Sequence, residues 1–196
     1  MALLQKDLMV RPSNVSRAIL FMVLAACSMV ECTTLMSTGT VNYHVIKYYV
    51  HDDLLQRANN SAFVIAAPGG DLSTIQQGAL VAINDPITEG PEPHSRKLGN
   101  AQGVYLSSEL EPNSFHIHQQ FTAVFKDKYH GTICYQGDDA VLLPVREIAV
   151  VGGTGDFRNA FGYCLITTVK QTDTWSFLLE FETHLYIPEL KNIETS

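Results

Sequence analysis

Along residues 41–186, apolar side chains recur at every second position or in short unbroken runs, and turn-forming residues separate the runs. Nine runs are legible, at 41–50, 61–67, 78–84, 103–110, 115–125, 131–136, 146–151, 163–169 and 175–186. They are rich in Val, Ile, Thr, Tyr and Phe, residues that fit a pleated, half-buried surface. Nowhere does a period of 3.6 persist for three turns, so no amphipathic helix is predicted. Regular short strands punctuated by turn signals predict an all-β sandwich or barrel. With 196 residues, the chain can bury one sizeable core but is short for two, and nothing in its composition marks a linker.

The glycine-dense stretch 145–162, VREIAVVGGTGDFRNAFG, invites a nucleotide-binding reading that its surroundings exclude. A phosphate loop needs Lys and Ser or Thr after its last glycine, and a dinucleotide fingerprint needs a helix N-terminus. Asp156, Phe157 and Arg158 follow instead, and then another strand-like run. The glycines read as a β-turn device supplying positive φ. Asp156 and Arg158 read as structural, because turn aspartates commonly bond their own backbone. The Pro- and Gly-rich stretch 85–93 reads as a rim loop.

Composition narrows the partners. A net charge of -7 and a pI near 5.4 argue against nucleic acid, which calls for clustered Lys and Arg. At the N-terminus, Lys6, Arg11 and Arg17 precede the apolar run 18–26, and small residues follow at Cys27, Ser28 and Cys32. This is the order of a secretory signal, and the run is short for a membrane span. The expectation is a signal peptide over 1–32, a single domain over 33–196, export, and no membrane partner. Asn59-Asn60-Ser61 is an N-glycosylation acceptor in the loop after the first strand, with Asn59 as the modified residue. Cys134 and Cys164 remain after signal removal. The strand at 146–151 separates theirs, and next-but-one strands lie about 9–10 Å apart, too far for a disulfide. Two buried free thiols are expected. His116 and His118 share a strand face, but no motif supplies a third metal ligand, so neither metal nor cofactor is predicted.

Three segments in order, DPITEGPE at 85–92, GNAQGVY at 99–105 and the glycine stretch, make residues from about 41 to about 187 resemble the plant dirigent protein family. That resemblance implies an eight-stranded antiparallel β-barrel with a central cavity, assembled as a homotrimer. One of the nine runs is then peripheral or part of a bent strand. Many family members are described as tying the N-terminal region to the last strand by a disulfide; this chain has no cysteine after Cys164.

The resemblance also selects residues. Asp52 of the His51-Asp52 pair ends the first strand, where the family's aspartate faces the cavity. Gly137, Asp139 and Arg146 match a Gly-x-Asp motif followed seven residues later by Arg, and Tyr105 matches a cavity tyrosine. An aspartate beside an arginine stays ionised, whereas one desolvated in an apolar lumen is pushed towards its neutral form. Asp52 and Asp139 are therefore expected to divide acid and base roles. Read without the resemblance, Asp52 is a strand-end cap, Asp139 and Arg146 form a surface pair, and Tyr105 is a core residue. Two departures stand out. Ser107 occupies a position where some lignan-forming members carry Tyr, and Ala160-Phe161-Gly162 replaces Ala-Arg-Gly.

Three functions are implied. The first is stereochemical guidance of phenoxy radicals made by an external laccase or peroxidase, the protein having no oxidase activity of its own. The second is a dehydrating carbon-oxygen lyase resembling the pterocarpan synthase branch. The third is a non-catalytic wall or defence protein binding phenolics or glycans.

Overall fold

The computed structural model describes residues 40–54 and 60–189. Among them are nine strands, β1 Val41–Asp53, β2 Ala62–Ala66, β3 Leu80–Thr88, β4 Lys97–Glu111, β5 Ser114–Phe125, β6 Gly131–Ala140, β7 Val145–Gly155, β8 Phe161–Asp173 and β9 Ser176–Pro188. The sheet runs β1-β9-β8-β7-β6-β5-β4-β3, and β1 closes it by pairing with β3 at Tyr49↔Thr88 and Val50↔Ile87. Every pairing between these strands is antiparallel, so the molecule is an eight-stranded barrel. The short β2 is the peripheral run, laid along β3 where β1 leaves it. No helix among the described residues is long and apolar enough to cross a membrane. The expected signal segment 1–32 and the expected glycosylation site Asn59 lie outside the described residues.

Period two sorts each strand. In β1 the inward positions are Ile46, Tyr48, Val50 and Asp52, with Leu54 continuing the series just past its end, while Val45 and Tyr43 face out. One end of the barrel is plugged by rings: Phe121 stacks on Tyr135, and Tyr48 stacks on Phe181. The buried hydroxyls inside this plug satisfy one another. Tyr48 meets Tyr135 at 2.6 Å, Tyr135 meets Thr183 at 2.9 Å, and Thr183 donates to Cys164 Sγ at 3.3 Å. Burial pushes the Cys164 thiol up to about 12, which keeps it protonated and inert.

Several expectations need correction. The glycine stretch is largely strand rather than turn: Gly152 and Gly153 pair with β6 beside a bulge, and within the stretch 152–155 only Gly155, at φ 61, has a positive φ. Gly153 is needed for space, since a Cβ there would lie 2.3 Å from the Phe157 carbonyl oxygen. The turn itself is 156–159, and Asp156 accepts from the backbone N–H of His130 at 2.8 Å rather than from its own segment. Cys134 and Cys164 are both free, but only Cys164 is buried; Cys134 is half-buried on the outward face.

The start of the proposed rim loop is also strand. Residues 85–88 belong to β3, which continues past Pro86. Asn84 N–H reaches Ser61 of the β2 side, and Val50 pairs with Ile87, so Pro86 falls where β3 changes partner from β2 to β1. A residue without an N–H is tolerated there.

β4 bends tightly over β5 at the GNAQG segment. A Cβ on Gly103 would sit 2.3 Å from the Gln120 carbonyl oxygen and 2.5 Å from Phe121 Cα. Gly103→Ala is therefore expected to lower stability by about 1–3 kcal/mol through forced backbone separation. Urea unfolding measures this, and an unchanged midpoint would show that β4 relaxes freely.

Candidate active site

The unplugged end of the barrel opens into a cavity. Phe115, Ile117, Phe121, Trp175, Phe177 and Leu179 make most of it apolar, and the polar lining comes from seven of the eight barrel strands. Asp52 arrives from β1, Asp85 from β3, Tyr105 from β4, Gln119 from β5, Asp139 from β6, Arg146 from β7 and Thr168 from β8. Each occupies an inward position of its strand, one or more periods of two from a buried core residue. Val50 precedes Asp52, Ile87 follows Asp85, Tyr135 precedes Asp139 and Ile148 follows Arg146.

Asp139 and Arg146 form a buried ion pair rather than a surface one. Their side chains are 5% and 3% exposed, and Arg146 Nε donates to Asp139 Oδ1 at 2.9 Å. Gln119 Nε2 donates to the other oxygen at 3.0 Å, and Arg146 Nη1 donates to Thr168 Oγ1 at 2.8 Å. Burial pushes the Asp139 carboxyl above its ordinary value, and the charge and hydrogen bonds of Arg146, with the Gln119 amide, pull it back. Both oxygens accept from N–H groups, a geometry that suits the carboxylate and not the acid.

Asp52 has the opposite setting. Its Oδ1 is sealed from solvent with no partner, and burial, then repulsion from Asp53, raises its carboxyl to about 7. Tyr105, 6% exposed, is kept a neutral phenol by burial and by Asp52 and Asp85. The lumen thus combines a carboxyl poised to hold a proton, a carboxylate clamped by arginine, and a phenolic hydroxyl.

The four carried-over residues Asp52, Tyr105, Asp139 and Arg146 all line this one cavity. Their neighbours do not: Asp53 accepts from the Ser176 hydroxyl at 2.7 Å, and His51 meets the Thr88 hydroxyl at 2.7 Å. His116 pairs with Asp138 at 2.7 Å on the outer face, and among the described residues no group of three or more His, Cys, Asp or Glu converges as a metal site. Ser107 is fully buried, with its hydroxyl unpartnered. Reading the sequence missed Asp85, Gln119 and Thr168. The signal for Asp85 was present in the alternation Val81, Ile83, Asp85, Ile87, and stopping the strand before Pro86 hid it.

A family model described as Dirigent-like protein matches residues 43–186. The chain is 37% identical to Dirigent protein 11 of Arabidopsis thaliana over 127 residues, which are 64% of this chain and 65% of that protein. It is 32% identical to Pterocarpan synthase 1 of Glycine max over 131 residues, 66% of this chain and 70% of that protein. A solved pterocarpan synthase dirigent protein superposes with a TM-score of 0.68 at 28% identity, covering 76% of this chain and 97% of that one.

Proposed function

The chain belongs to the dirigent family, and from that premise we propose that its lumen binds phenylpropanoid-derived phenols and directs the stereochemistry of bond formation at a quinone methide. The observation that carries this reading is the division of the lumen carboxyls: Asp52 without a cationic partner, Asp139 held by Arg146. Two routes supply the intermediate. In the first, an external laccase or peroxidase makes phenoxy radicals, and the barrel holds two of them in one orientation for coupling to lignans. In the second, favoured by the likeness to pterocarpan synthases, the barrel dehydrates a benzylic alcohol such as an isoflavanol.

The dehydration balances on this chain's own residues. Asp52 gives its proton to the departing hydroxyl oxygen, the C–O bond breaks with its electron pair on oxygen, and water leaves. The Asp139 carboxylate takes the substrate's phenolic proton, which yields the neutral quinone methide. A second phenol then attacks the benzylic carbon. Its proton returns to Asp52 while Asp139 reprotonates the quinone oxygen. Arg146 stabilises the charge on Asp139, and Tyr105 orients the ring by stacking and by its hydroxyl.

Residues 1–32 are proposed to direct export and to be removed, with Asn59 glycosylated on the exported chain. Exposed apolar side chains on the outer face, Tyr43, Val45 and Phe161, support assembly into a homotrimer.

Chiral chromatography tests the function. The purified protein is incubated with coniferyl alcohol and a one-electron oxidant and, separately, with an isoflavanol and no oxidant. Enantiomeric excess in the first or accelerated dehydration in the second is the expected result, and it also separates the two routes. Control values in both would overturn the proposal and leave a protein that only binds phenols.

A further inference from the structure

One lumen carboxyl has no part in this scheme. Asp85 is 2% exposed, lines the cavity from β3, and its Oδ1 has no hydrogen-bond partner. β1 and β3 close the barrel at Tyr49↔Thr88 and Val50↔Ile87. Carrying that antiparallel register two residues further sets Asp52 across from Asp85, both on the inward face. Beyond Val50 the strands part, and Ser61 enters between them: its N–H donates to the Asp53 carbonyl, and its own carbonyl accepts from Asn84. The seam is therefore open where the two residues face it from opposite sides, and each keeps one oxygen sealed and unpaired. Like charges opposite one another destabilise a sheet, and an unpaired buried carboxylate is costlier still. A proton held between the two relieves both.

We propose that Asp85 is a positioning residue that shares a proton with Asp52, so that Asp52 remains a proton donor at a pH where an isolated partner would have lost it. The proposal rests on the reading of the lumen as a site of quinone methide chemistry. The groups that act on Asp85 are Asp52 and, more weakly, Asp53 of β1, the Ser61 hydroxyl before β2 and Tyr105 of β4. None is a cation, and Arg146 in the same cavity is engaged with Asp139. Burial first, and then the charge of Asp52, hold the Asp85 carboxyl well above the ordinary range, while the Ser61 hydrogen bond pulls it down. Two carboxyls at one site cannot both ionise readily, so they titrate as a pair, and the second proton leaves at higher pH than the first. Asp52 donates the shared proton to the leaving hydroxyl, and the proton of the cyclising phenol then refills the pair.

Asp85→Asn, nearly isosteric with the protonated acid, tests this on the full chain. The rate at pH 6 is expected to stay within about threefold of the unsubstituted protein, while the alkaline limb of the pH-rate profile moves down by about one pH unit or more. Carboxyl-carbon NMR of the unsubstituted protein with labelled aspartate is expected to show one buried carboxyl titrating above pH 7, absent in Asp85→Asn. A variant whose profile is merely scaled by one factor at all pH values would overturn the proposal, and so would a protein with no carboxyl titrating above pH 7. The NMR reading needs no substrate, so failure of the chromatographic assay would count against the proposed chemistry without deciding the pair.

Discussion

Asp52→Asn is expected to lower the rate of product formation by about 10²–10⁴-fold, the usual contribution of a positioned general acid, and to make the barrel more stable at pH 8. Asparagine keeps the shape of the protonated acid and cannot donate the proton, so phenol binding should change little. The stability gain follows from the sign of the shift. Asp52 is raised to about 7 by burial, above the ordinary carboxylate range that applies when the chain is unfolded. Such a group contributes stability below that range and loses it as pH rises through 7. At pH 8 the native barrel carries an uncompensated buried charge that the variant lacks, worth on the order of 1–4 kcal/mol. Product assays together with urea midpoints at pH 5 and pH 8 measure both effects. A variant that turns over normally, or one less stable at pH 8 than at pH 5 by the native margin, would remove Asp52 from the proposed mechanism.

Arg146→Ala is expected to destabilise the fold by about 3–5 kcal/mol, because it strands the Asp139 carboxylate in a dry lumen. Gln119 alone remains to hydrogen-bond it. The Asp139 carboxyl, already raised by burial, climbs further without its cation, so the deficit grows as pH rises and shrinks in acid, where Asp139 is neutral. Urea midpoints at pH 5 and pH 8 distinguish this from simple packing loss. An equal deficit at both values would mean that the arginine stem, not its charge, holds this part of the barrel together. Product formation should fall as well, since a protonated Asp139 cannot accept the phenolic proton.

Much of this architecture was legible from the alternation of residues. Barrel strands repeat every second residue, so the inward positions of Asp52, Tyr105 and Asp139 follow from the apolar neighbours on the same face. The pairing of Asp139 with Arg146 was expected from the resemblance, and the structure adds what spacing does not carry: the pair is buried, and Gln119 and Thr168 complete it. The glycine stretch was misread because glycine serves two needs with one symbol. At Gly155 it supplies a positive φ; at Gly153 it makes room for the Phe157 carbonyl. Only the second depends on a chain segment folding back over the sheet.

The chain's own pattern determines that it is β throughout, which face of each strand turns inward, and which polar residues therefore enter the lumen, because period two is a local property of the extended backbone. The tertiary structure alone decides that β1 returns to β3 and brings Asp52 and Asp85 to one seam and one cavity. It also decides that β2 drops out of the ring, so that Pro86 sits at a change of partner. Protonation belongs to the second class as well. Whether a carboxyl keeps its proton depends on water excluded and charges brought near by strands distant in sequence, and no local pattern records either.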